Sequence, residues 1–140
     1  MERILLITTE PWARNALSLL RRCSGNMEIT HALDGVQALT YLSESIAQGI
    51  PYQLVIFTTP ISKMSAEAVI ASIRAIEKGL NRPPYPCLLC SSKETPDDFL
   101  ALYSQTLHLH VPDGPHAASL VTAAALQILH KIRSFEEEHI

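Results

Sequence analysis

The chain has little charge, few cysteines and no long apolar run. Asp, Glu, Lys and Arg make up 18% of its residues, and 14 acidic against 11 basic residues leave a formal net charge of -3. That balance supplies no overall pull toward nucleic acid or an anionic membrane, and no basic recognition helix stands out. The longest apolar runs fall far short of the roughly 18 residues a membrane span needs. The amino-terminal run Ile4-Leu5-Leu6-Ile7 is too short for a signal peptide. Cys23, Cys87 and Cys90 are an odd number without a paired framework, which fits a reducing cytoplasm. Cys87 and Cys90 have the Cys-x-x-Cys spacing of redox and metal sites. They lie, however, in the apolar run Cys87-Leu88-Leu89-Cys90, which reads as a buried strand. What the chain has in quantity is hydrophobic side chains, 47% of 140 residues. That is enough for one domain with a real core and excludes a mainly disordered chain.

The pattern along the chain alternates strand and helix five times. Short apolar runs over residues 3–8, 27–32, 54–57, 87–91 and 106–111 read as strands, most of them buried on both faces. Between them lie segments with apolar residues at helical spacing. Thr9-Glu10-Pro11 offers a cap and an early Pro for a first helix carrying Ala13, Ala16, Leu17 and Leu20. Asp34-Gly35 opens a second, closed by Gly49 and Pro51, and Ser65 caps a third that stops at Gly79. Residues 80–86 hold three Pro and read as a loop. Thr95-Pro96-Asp97-Asp98 starts a fourth helix running to about Tyr103, with its acidic pair placed to favour the helix dipole. A fifth runs from His116 to about Glu137. Five helices on a parallel sheet covered on both faces imply an α/β, doubly wound fold.

In such a sheet ligands bind at the carboxyl ends of the strands, near the point where strand order reverses. Those ends carry Thr8-Thr9-Glu10, Thr58-Thr59-Pro60, Ser91-Ser92 and Val111-Pro112. Only Glu10 among them is charged. No glycine follows the first strand, so no phosphate-cradling loop is expected there. One carboxylate is too few for a hard divalent cation. No cofactor is expected, and no paired acid and base converge to make an enzyme.

The residues themselves resemble a receiver domain of bacterial two-component response regulators, over roughly residues 3 to 130. His31-Ala32-Leu33-Asp34-Gly35-Val36-Gln37-Ala38-Leu39 resembles the family's approach to its second helix. Ile4-Leu5-Leu6-Ile7-Thr8-Thr9-Glu10-Pro11 resembles its first strand, and Pro86-Cys87-Leu88-Leu89-Cys90-Ser91-Ser92 the strand that ends in the switch hydroxyl. The resemblance implies a flavodoxin-like sheet of order 2-1-3-4-5, a receiver-like domain over residues 1–133, and a charged helix end or linker over 134–140. It also places Thr8 and Thr9 where the family has two metal-binding Asp, Thr58 at the phosphoacceptor Asp, and Val111 at the phosphoryl-pairing Lys. Of that set only the switch hydroxyl survives, as Ser91. Phosphoryl transfer needs a carboxylate nucleophile, a divalent cation and cationic charge. The expectation is therefore a degenerate pseudo-receiver that is not phosphorylated on aspartate and works in the cytoplasm by docking to proteins. Those partners would be a histidine kinase, a phosphotransfer protein or an output domain. A conventional receiver would require Asp34 as acceptor, although it opens a helix and does not end a strand.

The same resemblance puts His108 at the switch aromatic and makes the helix four–strand five–helix five face, with His108, Tyr103 and Leu126, the candidate switch and dimer surface. A His there would tie that face to pH; the alternative is an ordinary packing imidazole. His108 and His110 point to one face of their strand and, with His116, are also a candidate metal set. Thr8, Thr9 and Thr58 are either turn-bonding hydroxyls or targets of a Ser/Thr kinase. Alternatively, a small ligand would occupy the neutral pocket, with Trp12 at its mouth. On the last helix Leu120, Val121, Ala124, Ala125, Ile128, Leu129 and Ile132 form a broad buried face, with Leu126 on the opposite side. Phe135 continues the apolar phase beyond the family's usual end.

Overall fold

The computed structural model of the chain describes residues 2–23, 26–59, 61–95, 98–103 and 105–138, with side chains up to residue 135. Five strands, β1 (Glu2–Ile7), β2 (Met27–Ala32), β3 (Leu54–Thr58), β4 (Cys87–Ser91) and β5 (Thr106–His110), form one sheet. All pairings are parallel and the order is β2-β1-β3-β4-β5. Four α-helices connect and cover it: α1 (Ala13–Cys23), α2 (Gly35–Gln48), α3 (Ala66–Gly79) and α4 (Ala117–Glu138).

The strands read as unbroken apolar runs because the sheet is sandwiched. Every residue of β3 and β4 is buried, whereas the edge strands β2 and β5 are mostly half-buried. Alternation along each strand sends side chains to two separate layers. Leu5, Ile7, Val55, Phe57 and Leu89 pack with Leu42, Val69, Ile70 and Ile73 of α2 and α3. Ile4, Leu6, Leu54, Ile56 and Leu88 pack with Leu20 of α1 and Val121, Ala125 and Leu129 of α4. Each large side chain so buried contributes about 1.5–3 kcal/mol.

Local signals place the helix ends. Asp34 caps α2 by accepting the Gln37 amide at 2.8 Å, and Gly49 closes it with φ 71°, a left-handed geometry that suits glycine. Ser65 caps α3 through Ala68 N at 3.1 Å. Gly35 is required by close approach. A Cβ there would lie 2.0 Å from the Met64 carbonyl oxygen, and the Gly35 amide donates to Ser62 O at 3.1 Å. The loop leaving β3 is thereby seated on the start of α2.

Three expectations are corrected. The fourth helix is a single 3-10 segment, Asp98–Leu102. Its nine-residue stretch is too short to repay α-helix nucleation; Pro96 and Asp97 of the expected start lie outside the described residues. The first helix begins at Ala13, because the Thr8 hydroxyl accepts the Glu10 amide and Pro11 falls in the preceding turn. Leu126 does not lie opposite the buried face of the last helix. It is half-buried and packs with the α1–α4 layer, beside a buried Thr122 whose hydroxyl returns to Ala118 O at 2.7 Å. The broad apolar arc is wider than its large side chains indicate, since that back-bond removes the polarity of Thr122.

At the amino-terminal end of the sheet a buried ion pair ties the proline-rich loop down. Arg74 Nη1 donates to Glu77 Oε1 at 2.8 Å, with side chains 9% and 4% exposed. Glu77 Oε2 accepts the Tyr85 amide at 2.5 Å, while Arg74 Nη2 reaches Tyr85 O at 2.7 Å and Thr106 Oγ1 at 3.2 Å. The Tyr85 hydroxyl meets Ser45 Oγ at 2.7 Å, across to α2.

Candidate functional site

Parallel strands of this order reverse direction of winding between β1 and β3, and their carboxyl ends open a crevice there. A cleft of about 420 Å³ occupies it. Its floor is Thr58, Thr59, Ser91 and Ser92 from the ends of β3 and β4. Trp12 stands on one side, and Val111, Pro112 and Asp113 on the other. Among the described residues lining it, the charged ones are Glu10 and Asp113, and none is Lys, Arg or His.

The threonines expected in the pocket separate. Thr8 is fully buried behind the floor, its Oγ1 accepting the Glu10 amide at 2.9 Å. Thr58 is 3% exposed and donates to Thr8 Oγ1 at 2.7 Å. Thr9 is exposed and is not part of the cleft lining. The Thr8 carbonyl accepts a ring N–H from His31 at 2.9 Å. A hydrogen-bonded pair of neutral hydroxyls thus occupies the position between β1 and β3. Among the described residues, no carboxylate or imidazole is bonded to either hydroxyl to remove its proton. Among the described residues no group of three or more His, Cys, Asp or Glu is placed to hold a metal ion.

Asp34 is committed elsewhere. Its Oδ1 caps α2 and its Oδ2 lies 3.5 Å from Lys63 Nζ. The Gln37 amide, supported by Lys63, holds this carboxyl below its ordinary value. Lys63 adopts φ 65°, a left-handed conformation in the loop after β3. Neither Asp34 nor Lys63 is among the residues lining the cleft.

Ser91 and His108 meet across β4 and β5. Ser91 is 7% exposed and its Oγ lies 2.9 Å from His108 Nε2. Leu89 pairs with His108 and Ser91 with His110 in the parallel register, so both His share the Ser91 face. His110 Nδ1 donates to the Lys93 carbonyl at 3.0 Å. Tyr103 is half-buried against the α2–α3 layer. Two leucines are exposed along this edge, Leu102 at 76% and Leu107 at 53%; Leu107, next to His108 on β5, projects to the opposite side of the sheet.

Cys87 and Cys90 do not form a pair of neighbours. Three residues apart on a strand, they enter opposite layers. Burial pushes the Cys87 thiol up to about 11 and the Cys90 thiol up to about 12. Thiols held protonated in this way are poor nucleophiles and poor metal ligands.

Sequence reasoning missed three features. The Ser91–His108 bond was signalled only by the two-residue period of β5. Asp113 lines the cleft because the turn after β5 folds over it, and turn residues carry no periodicity to read. The Arg74–Glu77 pair was hidden because charged residues three apart on a helix ordinarily face solvent.

No protein-family model matches the sequence, and a search of curated proteins finds no match. Comparison of the fold with solved structures finds receiver domains. A point mutant of the receiver domain of the histidine kinase CKI1 from Arabidopsis thaliana superposes with a TM-score of 0.69 at 17% identity, covering 95% of this chain and 90% of that one. A response regulator receiver domain protein from Clostridium thermocellum gives 0.66 at 15% identity, covering 96% and 99%. The signal receiver domain of the response regulator NarL from Mycobacterium tuberculosis gives 0.61 at 19%, covering 92% and 96%. With five parallel strands in the order 2-1-3-4-5, the chain has the fold of the response-regulator receiver domains.

Proposed function

We propose that this chain is a pseudo-receiver of two-component or phosphorelay signalling, which works in the bacterial cytoplasm by docking to proteins and is not phosphorylated on aspartate. One observation carries the reading. The end of β3, where the fold's phosphoacceptor carboxylate belongs, holds a buried Thr58 hydroxyl bonded to Thr8 Oγ1 at 2.7 Å. A receiver's acid pocket is a cluster of like charges that a metal ion must neutralise. Here neutral hydroxyls fill the same space, so the pocket needs no ion for stability. None of the described residues lining it offsets the charge that a phosphoryl group would bring, and Glu10 and Asp113 oppose it. Asp34 is already used by Gln37 N and Lys63.

The docking surface is the 3-10 helix–β5–α4 face, where Leu102 and Leu107 are exposed. Exposed apolar side chains on an otherwise polar surface favour association. A kinase, a phosphotransfer protein, an output domain or a second copy would bind there. The cleft of about 420 Å³ beside Trp12 supports a second reading, a small-molecule sensor. A saturable rise in melting temperature with one metabolite, lost in Trp12→Ala, would favour it.

The test of the main reading is incubation with acetyl phosphate, and separately with beryllofluoride, in the presence of Mg²⁺. Intact mass and amide NMR spectra should remain those of the untreated protein. A stoichiometric adduct on Thr58 or Asp34 would overturn the reading.

A further inference from the structure

Two Asp–Gly dipeptides occur in the chain, Asp34-Gly35 and Asp113-Gly114, and no Asn precedes a Gly. The pairing matters chemically. A glycine puts no side chain beside its own amide, so that nitrogen can reach the carboxyl of the aspartate before it and close a five-membered ring. What decides the outcome is whether the fold leaves the amide and the carboxyl free to meet.

The two dipeptides are treated in opposite ways. Asp34 is 5% exposed, with Oδ1 accepting the Gln37 amide at 2.8 Å and Oδ2 lying 3.5 Å from Lys63 Nζ. The Gly35 amide is spent on Ser62 O at 3.1 Å, and the Met64 carbonyl crowds the same spot. Ring closure there would break the cap of α2 and unseat the loop after β3. Asp113 and Gly114 lie instead in the turn between β5 and α4, and both are exposed. Among the described residues, the Gly114 amide donates to no acceptor and the Asp113 carboxylate enters no hydrogen bond or ion pair. Gly114 adopts φ 148°, and apart from its chain neighbours nothing stands within 4 Å of where its Cβ would be. No packed neighbour therefore holds the turn against ring closure.

We propose that Asp113 is a site of spontaneous isomerisation, closing with the Gly114 amide to a succinimide and reopening as isoaspartate on the wall of the carboxyl-end cleft. The Gly114 nitrogen attacks Asp113 Cγ. The N–Cγ bond forms, and the carboxyl hydroxyl leaves with the amide proton as one water. Water then adds back to the ring. Cleavage of the N–Cγ bond restores aspartate, whereas cleavage of the bond from the Asp113 main-chain carbonyl to the Gly114 nitrogen leaves isoaspartate, with no net change of mass. The main chain then runs through the side-chain carbons, so the turn gains one methylene and the carboxylate moves. Because Asp113 lines the cleft beside Val111 and Pro112, the shape of that wall changes as the molecule ages. The reaction uses neither a metal ion nor a phosphoryl donor, so it stands apart from the pseudo-receiver reading.

The test holds the full chain folded for some weeks in warm, mildly acidic buffer, beside a sample unfolded in guanidinium chloride. Peptide mapping reads the succinimide as the loss of one water. It reads isoaspartate as a peptide of unchanged mass and altered retention that takes a methyl group from S-adenosylmethionine with an isoaspartyl methyltransferase. In the folded sample Asp113 should convert about tenfold or more faster than Asp34, because two hydrogen bonds and a buried loop must open first at Asp34. In guanidinium the two should convert at similar rates. Asp113→Glu keeps the charge but would need a six-membered ring, which closes slowly; it should remove the folded-state product without moving the unfolding midpoint. Amide resonances of Ser92 and Ala117, which also line the cleft, should shift in the aged parent and not in Asp113→Glu. Equal rates at Asp34 and Asp113 in the folded protein, or no product at Asp113 while the unfolded sample converts, would overturn the proposal. Product at Asp113 with Ser92 and Ala117 unshifted would overturn its effect on the cleft.

Discussion

Replacing Glu77 by Met isolates the buried charge that holds the proline-rich loop. The side chain is 4% exposed and its Arg74 partner 9% exposed, so solvent screens the pair little. Glu77→Met leaves the Arg74 guanidinium in place without its counter-charge. Removing one partner of a buried pair costs about 3–5 kcal/mol, against a total stability of about 5–15 kcal/mol for a domain. At about 2–4 °C per kcal/mol for a domain of this size, the melting temperature should fall by roughly 6–20 °C. Adding Arg74→Met removes the orphaned charge and should restore most of the loss. Recovery will be incomplete, because the Tyr85 amide then lacks the acceptor it has in Glu77 Oε2, and a buried unpaired donor costs about 1–3 kcal/mol. Urea unfolding of the two single variants, the double variant and the parent gives the cycle. A Glu77→Met loss below about 1 kcal/mol, or a double variant less stable than both singles, would refute the reasoning.

Gly35→Ala should destabilise the chain by about 1–3 kcal/mol and shift the amide resonances of Ser62 to Met64, since the new methyl would strike the Met64 carbonyl. Unchanged spectra would count against that close approach. The buried thiols make stability pH-dependent. Their folded values, about 11 for Cys87 and about 12 for Cys90, lie above the ordinary 9.0. Their contribution is complete below pH 9.0 and is lost as pH rises through those folded values, because the unfolded chain ionises first. Denaturation curves at increasing alkaline pH should fall more steeply for the parent than for the Cys87→Ala/Cys90→Ala variant. At pH 8, iodoacetamide should label exposed Cys23 in the folded protein and spare the other two. Leu107→Glu should abolish any concentration-dependent dimer seen by size exclusion, without changing the unfolding midpoint, because Leu107 is 53% exposed; a dimer that persists would place the contact elsewhere.

Much of the fold was legible in the chain because its signals are local. Leu54-Val55-Ile56-Phe57 reads as a strand buried on both faces, and β3 is buried throughout. Asp34, Ser65 and Gly49 announce helix ends through side-chain chemistry within four residues. The 3-10 segment at residues 98–102 was not legible. Carboxylates after Thr95 promise a helix start, but helix length depends on packing that propensity does not record. Leu126 was misplaced for a related reason: the Thr122 hydroxyl is satisfied by Ala118 O, so a nominally polar position joins the buried arc.

The site divides in the same way. Composition at the strand ends already showed hydroxyls and a valine at Thr8, Thr58 and Val111, and it was the resemblance to receiver domains that implied acids and a lysine for those positions. Side-chain identity is carried by the chain itself, and missing charge is as plain in one dimension as in three. Which hydroxyls meet was decided by tertiary structure. Thr58 bonds Thr8 from 50 residues away, Ser91 meets His108 across two strands, and Thr9 turns outward. Strand register brings those partners together, and register follows from how two apolar layers pack on one sheet.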